Sequence, residues 1–360
     1  MSLLRSLHLA HAIARSNLDR PRTPYKLTFV VTRRCNSRCL HCDIWNQSEP
    51  PDPLGLAEIE TFFKKYPGFH WIDLTGGEPF LRPDLPALTA MALRHSPRLY
   101  HLHLPTNAVS PALTIQRIQD ILALDPPLLT ITLSLDGPPE QHDTLRGVPG
   151  NWRHCLEVYH HFQRHPHPKL QLFFGFTLSD DTVGTLTRTM QAVRERFPEA
   201  DPKIWHLNLA HHSAHYYGNL HRPVLSETNR QAFRDEINGF LTLKRRLWPD
   251  PVAFLESRYL TSALDFIQGI RHPMPCRALT SSVFVAPDGT CFPCSIWDRP
   301  IGHLRDHACD LNALLASAPA RHTLETIAQN GCPGCWTPCD ALPTILGNLV
   351  HPLFRGRPPP

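Results

Sequence analysis

A chain of 360 residues, 42% hydrophobic and 19% charged, has the length for one large domain plus a smaller one and the apolar content for a sizeable core, which excludes wholesale disorder. Its net charge of +4 is scattered, with no basic stripe interleaved with aromatics, so no nucleic-acid partner is expected. No uncharged apolar run reaches the roughly 18 residues of a membrane-spanning helix, the N-terminus makes a poor signal peptide, and a cytoplasmic protein is expected.

In chain order, residues 3–15 read as a short helix, whose His and Arg content argues against a membrane-surface role, and PRTP at 21–24 breaks it. Strands are predicted at 25–31, 69–74, 99–104, 128–135, 169–177 and 203–209. Helices are predicted between them at 56–66, 85–95, 112–124, 152–164 and 182–197. Strand-then-helix alternation of this kind is the pattern of a parallel α/β sheet, and right-handed crossovers curl it toward a barrel. The motifs keep that register, falling after predicted strands: TRRCNSRCLHC, TGGEP, PTN and SLDG. Strand C-termini are where active groups gather in such folds. From 226 the alternation stops. Two helical stretches, 226–247 and 252–270, lead to a cysteine-rich tail with a PDG turn at 287–289, and RGRPPP reads as a frayed end. The expected division is an N-terminal extension (1–24), a core barrel (25–225), a helical linker (226–275), a small cysteine-rich domain (276–345) and a tail (346–360).

The 11 cysteines cluster, which in a long chain without secretory features favours metal binding over disulfides. Cys35, Cys39 and Cys42 form CxxxCxxC on one loop. Three thiolates on a [4Fe–4S] cluster leave one iron open to an exogenous ligand. Zinc with His41 as fourth ligand is the competing reading, weakened because His41 adjoins Cys42. Cys155 sits in a helical pattern and reads as a small buried hydrophobe.

CNSRCLHC, TGGEPFLR at 75–82, and SLDG with HDTLRG at 134–147 together resemble the motifs of the radical S-adenosylmethionine (SAM) superfamily, over roughly residues 25–209. The resemblance implies a partial (β/α)6 TIM-like barrel and a [4Fe–4S] cluster on Cys35, Cys39 and Cys42 whose open iron chelates SAM. It also implies reductive cleavage of SAM to a 5′-deoxyadenosyl radical that abstracts hydrogen from a substrate. Carried over residue by residue, Gly76, Gly77 and Glu78 would meet the methionyl amino group, with the paired glycines allowing close backbone approach. Ser134 and Asp136 would face the ribose or carboxylate of SAM. Asn107 would lie beside them, although TNA stands where the family has TNG. Arg146 would neutralise the SAM carboxylate, with a solvated loop arginine as the alternative. His41 and Trp45 would pack near adenine, with a plain core role the better reading for Trp45.

The tail resembles the SPASM or twitch extension of some members of that superfamily. Cys276, Cys291, Cys294, Cys332, Cys335 and Cys339 offer six ligands, enough for one auxiliary [4Fe–4S] cluster, with Cys291 as a spare and Cys309 a bystander. A structural zinc knot is the alternative. The segment HLNLAHHSAHYYGN at 206–219 offers groups for substrate contact or proton transfer, Tyr217 foremost; Asp288 is a second catalytic candidate. The partners expected are SAM, an unidentified substrate and a reducing donor such as flavodoxin or ferredoxin. Because 24 residues precede the first strand, fewer than a leader-binding domain takes, a small molecule, sugar or lipid intermediate is favoured over a peptide-modifying maturase. A non-catalytic iron–sulfur carrier is the rival from another class; it needs a closed four-cysteine site and no GGEP.

Overall fold

The computed structural model describes residues 3–18 and 23–350; the predicted frayed end at 355–360 lies outside them. The elements run α1 (Leu3–Leu18), β1 (Lys26–Thr32), α2 (Leu56–Lys65), β2 (Trp71–Gly76), α3 (Leu85–His95), β3 (His101–Thr106), α4 (Pro111–Leu122) and β4 (Leu129–Ser134). They continue through α5 (Pro139–Arg146), α6 (Asn151–Arg164), β5 (Leu170–Leu178), α7 (Leu186–Arg194), β6 (Trp205–Leu209), α8 (Arg230–Arg245) and α9 (Pro251–Ile267). The tail holds β7 (Ser282–Val285), β8 (Thr290–Phe292), β9 (Gly302–His303), α10 (Leu311–Leu315), α11 (Ala318–Ala328) and α12 (Pro338–Leu346).

All six predicted strands form and pair in parallel in the order β6-β5-β4-β3-β2-β1, so the expected partial barrel is observed. The sheet continues past β1 into the tail: β7 pairs parallel to β1, and β8 and β9 follow antiparallel. Alternate residues point to opposite faces of a strand. The outer face carries Leu27, Phe29, Ile72, Leu74, Leu102 and Leu104, all fully buried, each contributing about 1.5–3 kcal/mol relative to exposure. The inner face carries Lys26, Asp73, His101, His103, Thr130, Thr132 and His206.

That inner face is polar where a closed barrel would stack Val, Ile and Leu, and its groups satisfy one another. Lys26 Nζ lies 2.9 Å from Asp73 Oδ2, with both side chains nearly inaccessible. The other Asp73 oxygen accepts from Trp71 Nε1 at 2.6 Å and faces His103 Nδ1 at 3.2 Å. His103 Nε2 meets Thr132 Oγ1 at 3.0 Å. Burial opposes the Lys26 charge, but Asp73 beside it offsets this and holds the lysine above its ordinary value. Across the barrel His206 bonds Glu256 of α9, which also pairs with Lys244 of α8.

The gap between β6 and β1 is closed by α9 and the tail. Tyr259 Oη accepts from the Leu209 N–H at 3.3 Å and donates to the Trp336 carbonyl at 3.2 Å. Trp336 Nε1 donates to the Tyr259 carbonyl at 2.8 Å.

Within the barrel two elements differ from expectation, and β7 to β9 and α10 to α12 form in the tail, where only a turn was predicted. Helix α5 was not predicted, because its polar sequence PEQHDTLR has no apolar stripe. Helix α7 starts at Leu186 rather than 182. There the Thr182 hydroxyl donates to the Thr177 carbonyl at 2.7 Å and accepts from the Ser179 N–H at 2.8 Å, and Gly184 turns at φ +80°; such side-chain bonds compete with helix. At the β3 end, Ala108 is fully buried at φ +52°, the left-handed turn that favours glycine. The strain of about 1–2 kcal/mol exceeds the entropy cost of glycine, about 0.5–1 kcal/mol. Ala108→Gly is therefore expected to raise unfolding free energy by about 0.5–1 kcal/mol; a lower urea midpoint would contradict this.

Candidate functional site

The loop after β1 is held from three sides. The Arg38 and Leu40 amides donate to the Arg146 and Leu145 carbonyls at the end of α5, both at 2.9 Å. Arg222 clamps Asp43 at 2.9 and 2.7 Å. Asn219 Nδ2 donates to the His41 carbonyl and Gln47 Nε2 to the Tyr216 carbonyl, both at 2.9 Å. The 206–219 segment singled out in the sequence thus braces the cysteine loop. Cys39 is buried and Cys35 and Cys42 are half-buried. Burial pushes the Cys35 thiol up to about 11 and raises Cys39 and Cys42 as well, and the three sulfurs feel one another's charge. Two donors point at them: Arg146 Nη1 lies 3.5 Å from Cys39 Sγ and Asn107 Nδ2 lies 3.7 Å from Cys35 Sγ.

Gly76 and Gly77 are required by the chain itself. A Cβ on Gly76 would stand 2.3 Å from the Thr32 carbonyl oxygen, and one on Gly77 2.4 Å from that of Arg34. The Gly77 amide donates to the Thr32 carbonyl at 2.9 Å and the Glu78 amide to the Arg34 carbonyl at 2.8 Å. Glu78 is buried, and both its carboxylate oxygens are used. Oε1 accepts from the Phe80 amide at 3.2 Å and the Thr106 hydroxyl at 3.0 Å, and Oε2 from the Asn107 amide at 2.7 Å. Burial lifts its carboxyl to about 7.

Asn107 lies against the cysteine loop, its Nδ2 donating to Asn36 Oδ1 at 2.8 Å. Arg146 is not a solvated loop residue: it is buried and paired with Asp136, whose other oxygen accepts from the Thr177 amide at 2.6 Å. Ser134 ends β4 with a half-buried side chain. Trp45 is half-buried rather than core, its Nε1 donating to the Cys42 carbonyl at 3.0 Å. His41 is displaced to about 4 by burial, and its Nδ1 has no partner among the described residues. Cys155 is fully buried, as expected.

In the tail, Cys276, Cys294, Cys332 and Cys335 line one recess with Trp297, Trp336 and Asp340. The Ala278 amide donates to Cys276 Sγ at 3.4 Å and the Trp297 amide to Cys294 Sγ at 3.3 Å. Cys339 leaves this set. It sits in the first turn of α12, its carbonyl accepts from Lys26 Nζ, and its thiol is felt by Tyr216, Tyr217 and Lys26 inside the barrel. Cys291 also stands apart: it is fully buried in β8, donates to the Gly289 carbonyl at 3.7 Å and neighbours Cys309. Asp288 closes the β7–β8 hairpin, one oxygen accepting from the Thr290 amide at 2.9 Å and the other from its hydroxyl at 3.0 Å. The Tyr217 hydroxyl is raised by burial, with Tyr216, Cys339 and Cys42 near it. Among the described residues no three Cys, His, Asp or Glu side chains are drawn together around a single ion's position.

Sequence reasoning missed Lys26, Asp73, His103 and Glu256, and singled out His206 only as part of the 206–219 segment. For His103 and His206 the signal was the strict alternation in HLHL and WHLNL, which marks a strand with one polar face.

Residues 29–190 match the family described as the Radical SAM superfamily. Over 222 residues the chain is 27% identical to Fe-coproporphyrin III synthase of Methanosarcina barkeri, covering 60% of this chain and 51% of that protein. The chain spans about half the length or less of the first curated relatives it matches. Its fold is similar to anSMEcpe with bound AdoMet, at a TM-score of 0.57 and 14% identity over 84% of each chain. It is also similar to SuiB of Streptococcus suis bound to its precursor peptide SuiA, at a TM-score of 0.58 and 15% identity over 89% of this chain and 70% of that one.

Proposed function

Because residues 29–190 give this chain a radical SAM domain, we propose that it is an enzyme that cleaves SAM reductively and takes hydrogen from a small-molecule substrate. The observation that carries this is the three-thiol loop locked against Gly76, Gly77 and Glu78, with amide and guanidinium donors aimed at two of its sulfurs. Those residues fit a [4Fe–4S] cluster, whose thiolates are tuned by just such hydrogen bonds. When bound, that group supplies one electron to the SAM sulfonium and the resulting homolysis gives the 5′-deoxyadenosyl radical.

What the chain contributes is placement. Asp136 and Glu78 spend their oxygens on internal donors, so both position their neighbours: Asp136 fixes Arg146 against Cys39, and Glu78 fixes the Asn107 turn. Ser134, with the backbone at Gly76 and Gly77, is left as the SAM contact, while Asn107, engaged by Asn36 and the Val109 amide, positions the turn beside the cysteine loop. The inner face below them is polar but internally paired, while the outer face stays packed. A small molecule is favoured over a peptide because the curated relative named for a porphyrin matches 60% of the chain, whereas the one named for bacteriocin biosynthesis, AlbA of Bacillus subtilis, matches 39%. A flavodoxin or ferredoxin would supply the electron. The reading places the protein in the cytoplasm; no described helix is long and apolar enough to cross a membrane.

Cys276, Cys294, Cys332 and Cys335 are proposed to hold one auxiliary [4Fe–4S] cluster, because all four thiols open on one recess. Anaerobically reconstituted protein should carry about eight irons, two clusters' worth. Cys276→Ala with Cys335→Ala should lose about half, and Cys291→Ala or Cys339→Ala none. One zinc per chain in place of the tail iron would overturn the auxiliary cluster.

A further inference from the structure

Helix α1 shows solvent the kind of face that a surface helix ordinarily turns to the core. Leu3, Leu7, Ala10, Ala14 and Leu18, spaced four, three, four and four residues apart, fall on one side and are all exposed. Leu3 and Leu18 are each 75% exposed, Leu4 61% and Leu7 57%. The opposite side holds the helix in place. Ser16 is buried, Leu9 and Ile13 are half-buried, and Asn17 Nδ2 donates to the Leu346 carbonyl at the end of α12 at 2.7 Å. At the other end Arg5 lines a recess with Leu99, Leu124 and Asp125, in the turns that lead into β3 and β4. The helix therefore lies at the N-terminal ends of the strands, opposite the cysteine loop.

The charge around the stripe is one-sided. From Leu3 to Leu18 there is no Asp or Glu; the exposed Arg15 lies beside the stripe, while Arg5 is turned to the body of the protein. Arg20 and Arg22 follow against a single Asp19. The Val350 amide donates to Asn17 Oδ1 at 3.2 Å, so the last described residue stands beside α1. An apolar helix face rimmed by arginines is the pattern of an interfacial helix, with leucines in the acyl boundary and guanidinium groups on the headgroups. The same arginines would repel one another across a contact between two copies.

We propose that α1 docks this protein on an anionic lipid surface, with the cysteine loop turned away from the bilayer. Of the histidines and arginines that argue in the sequence against a membrane-surface role, the exposed His11 and Arg15 border the stripe in the folded helix.

The test is co-sedimentation of the full chain with vesicles of mixed phosphatidylglycerol and phosphatidylcholine and with vesicles of phosphatidylcholine alone. The wild type should bind the mixed vesicles and prefer them. Leu3→Glu with Leu7→Glu should weaken that binding at least about tenfold, and Arg15→Gln about fivefold, both at an unchanged thermal midpoint because the substituted groups are exposed. Equal binding to both vesicle types, or a glutamate variant that binds as the wild type does, would overturn the proposal. So would a concentration-dependent dimer abolished by the same glutamates without vesicle binding, or vesicle binding seen only after residues 351–360 are deleted, since each gives the stripe another occupant. Every outcome is read without SAM, so neither result bears on the proposed cleavage.

Discussion

Gly77→Ala is expected to lower unfolding free energy by more than about 3 kcal/mol, beyond the usual cost of overpacking, because no side chain can give way. The methyl would meet three backbone atoms, the Arg34 and Arg33 carbonyl oxygens at 2.4 and 2.6 Å and the Arg34 carbonyl carbon at 2.7 Å. Relief requires the loop to lift off the end of β2, which also breaks the bonds from the Gly77 and Glu78 amides to that loop. Because Cys35 directly follows Arg34, iron loading should fall along with stability. Urea unfolding of the iron-free protein separates the two effects. An unchanged midpoint would show that the loop moves at no cost and that the glycine pair serves a bound ligand alone.

Asp73→Ala is expected to cost about 3–5 kcal/mol, the penalty for leaving a buried charge without its partner. Lys26 is fully buried, its one other described contact of full strength being the Cys339 carbonyl, and Asp73 also holds Trp71 and His103. Replacing both residues, Lys26→Met with Asp73→Leu, should cost much less than the sum of the single changes, since the pair then disappears as a unit. Additive losses in chemical denaturation would contradict the coupled network described for the inner face.

The parts of the fold legible in the sequence were those written in local chemistry. Six strands and the register of the cysteine loop, GGEP, Asn107 and Asp136 followed from apolar runs separated by helix-length spacers, because strand ends must carry the loops. The tail was legible as a metal-binding sequence but not as a ligand set. CPGCWTPC presents three thiols at similar spacing, and only the start of α12 at Pro338, tied to the loop after β8 by the Thr337–Asp340–Ser295 side-chain bonds, turns Cys339 toward Lys26. The reason for the glycine pair was hidden for a similar cause. A GG dipeptide does not say whether ligand or backbone approaches it, and here the backbone of a loop some 40 residues upstream does. Arg146 could be read as solvated because nothing local reveals that α5, itself unpredicted, packs its last turn against the cysteine loop.

The most direct measurement is 5′-deoxyadenosine formed when anaerobically reconstituted, dithionite-reduced protein is incubated with SAM. It should be made beside a variant in which Cys35, Cys39 and Cys42 are alanine. Product from the wild type, with the variant at the level of a protein-free control, is the predicted result. Wild-type protein that loads its iron yet neither binds nor cleaves SAM would contradict the account and favour a non-catalytic iron–sulfur carrier.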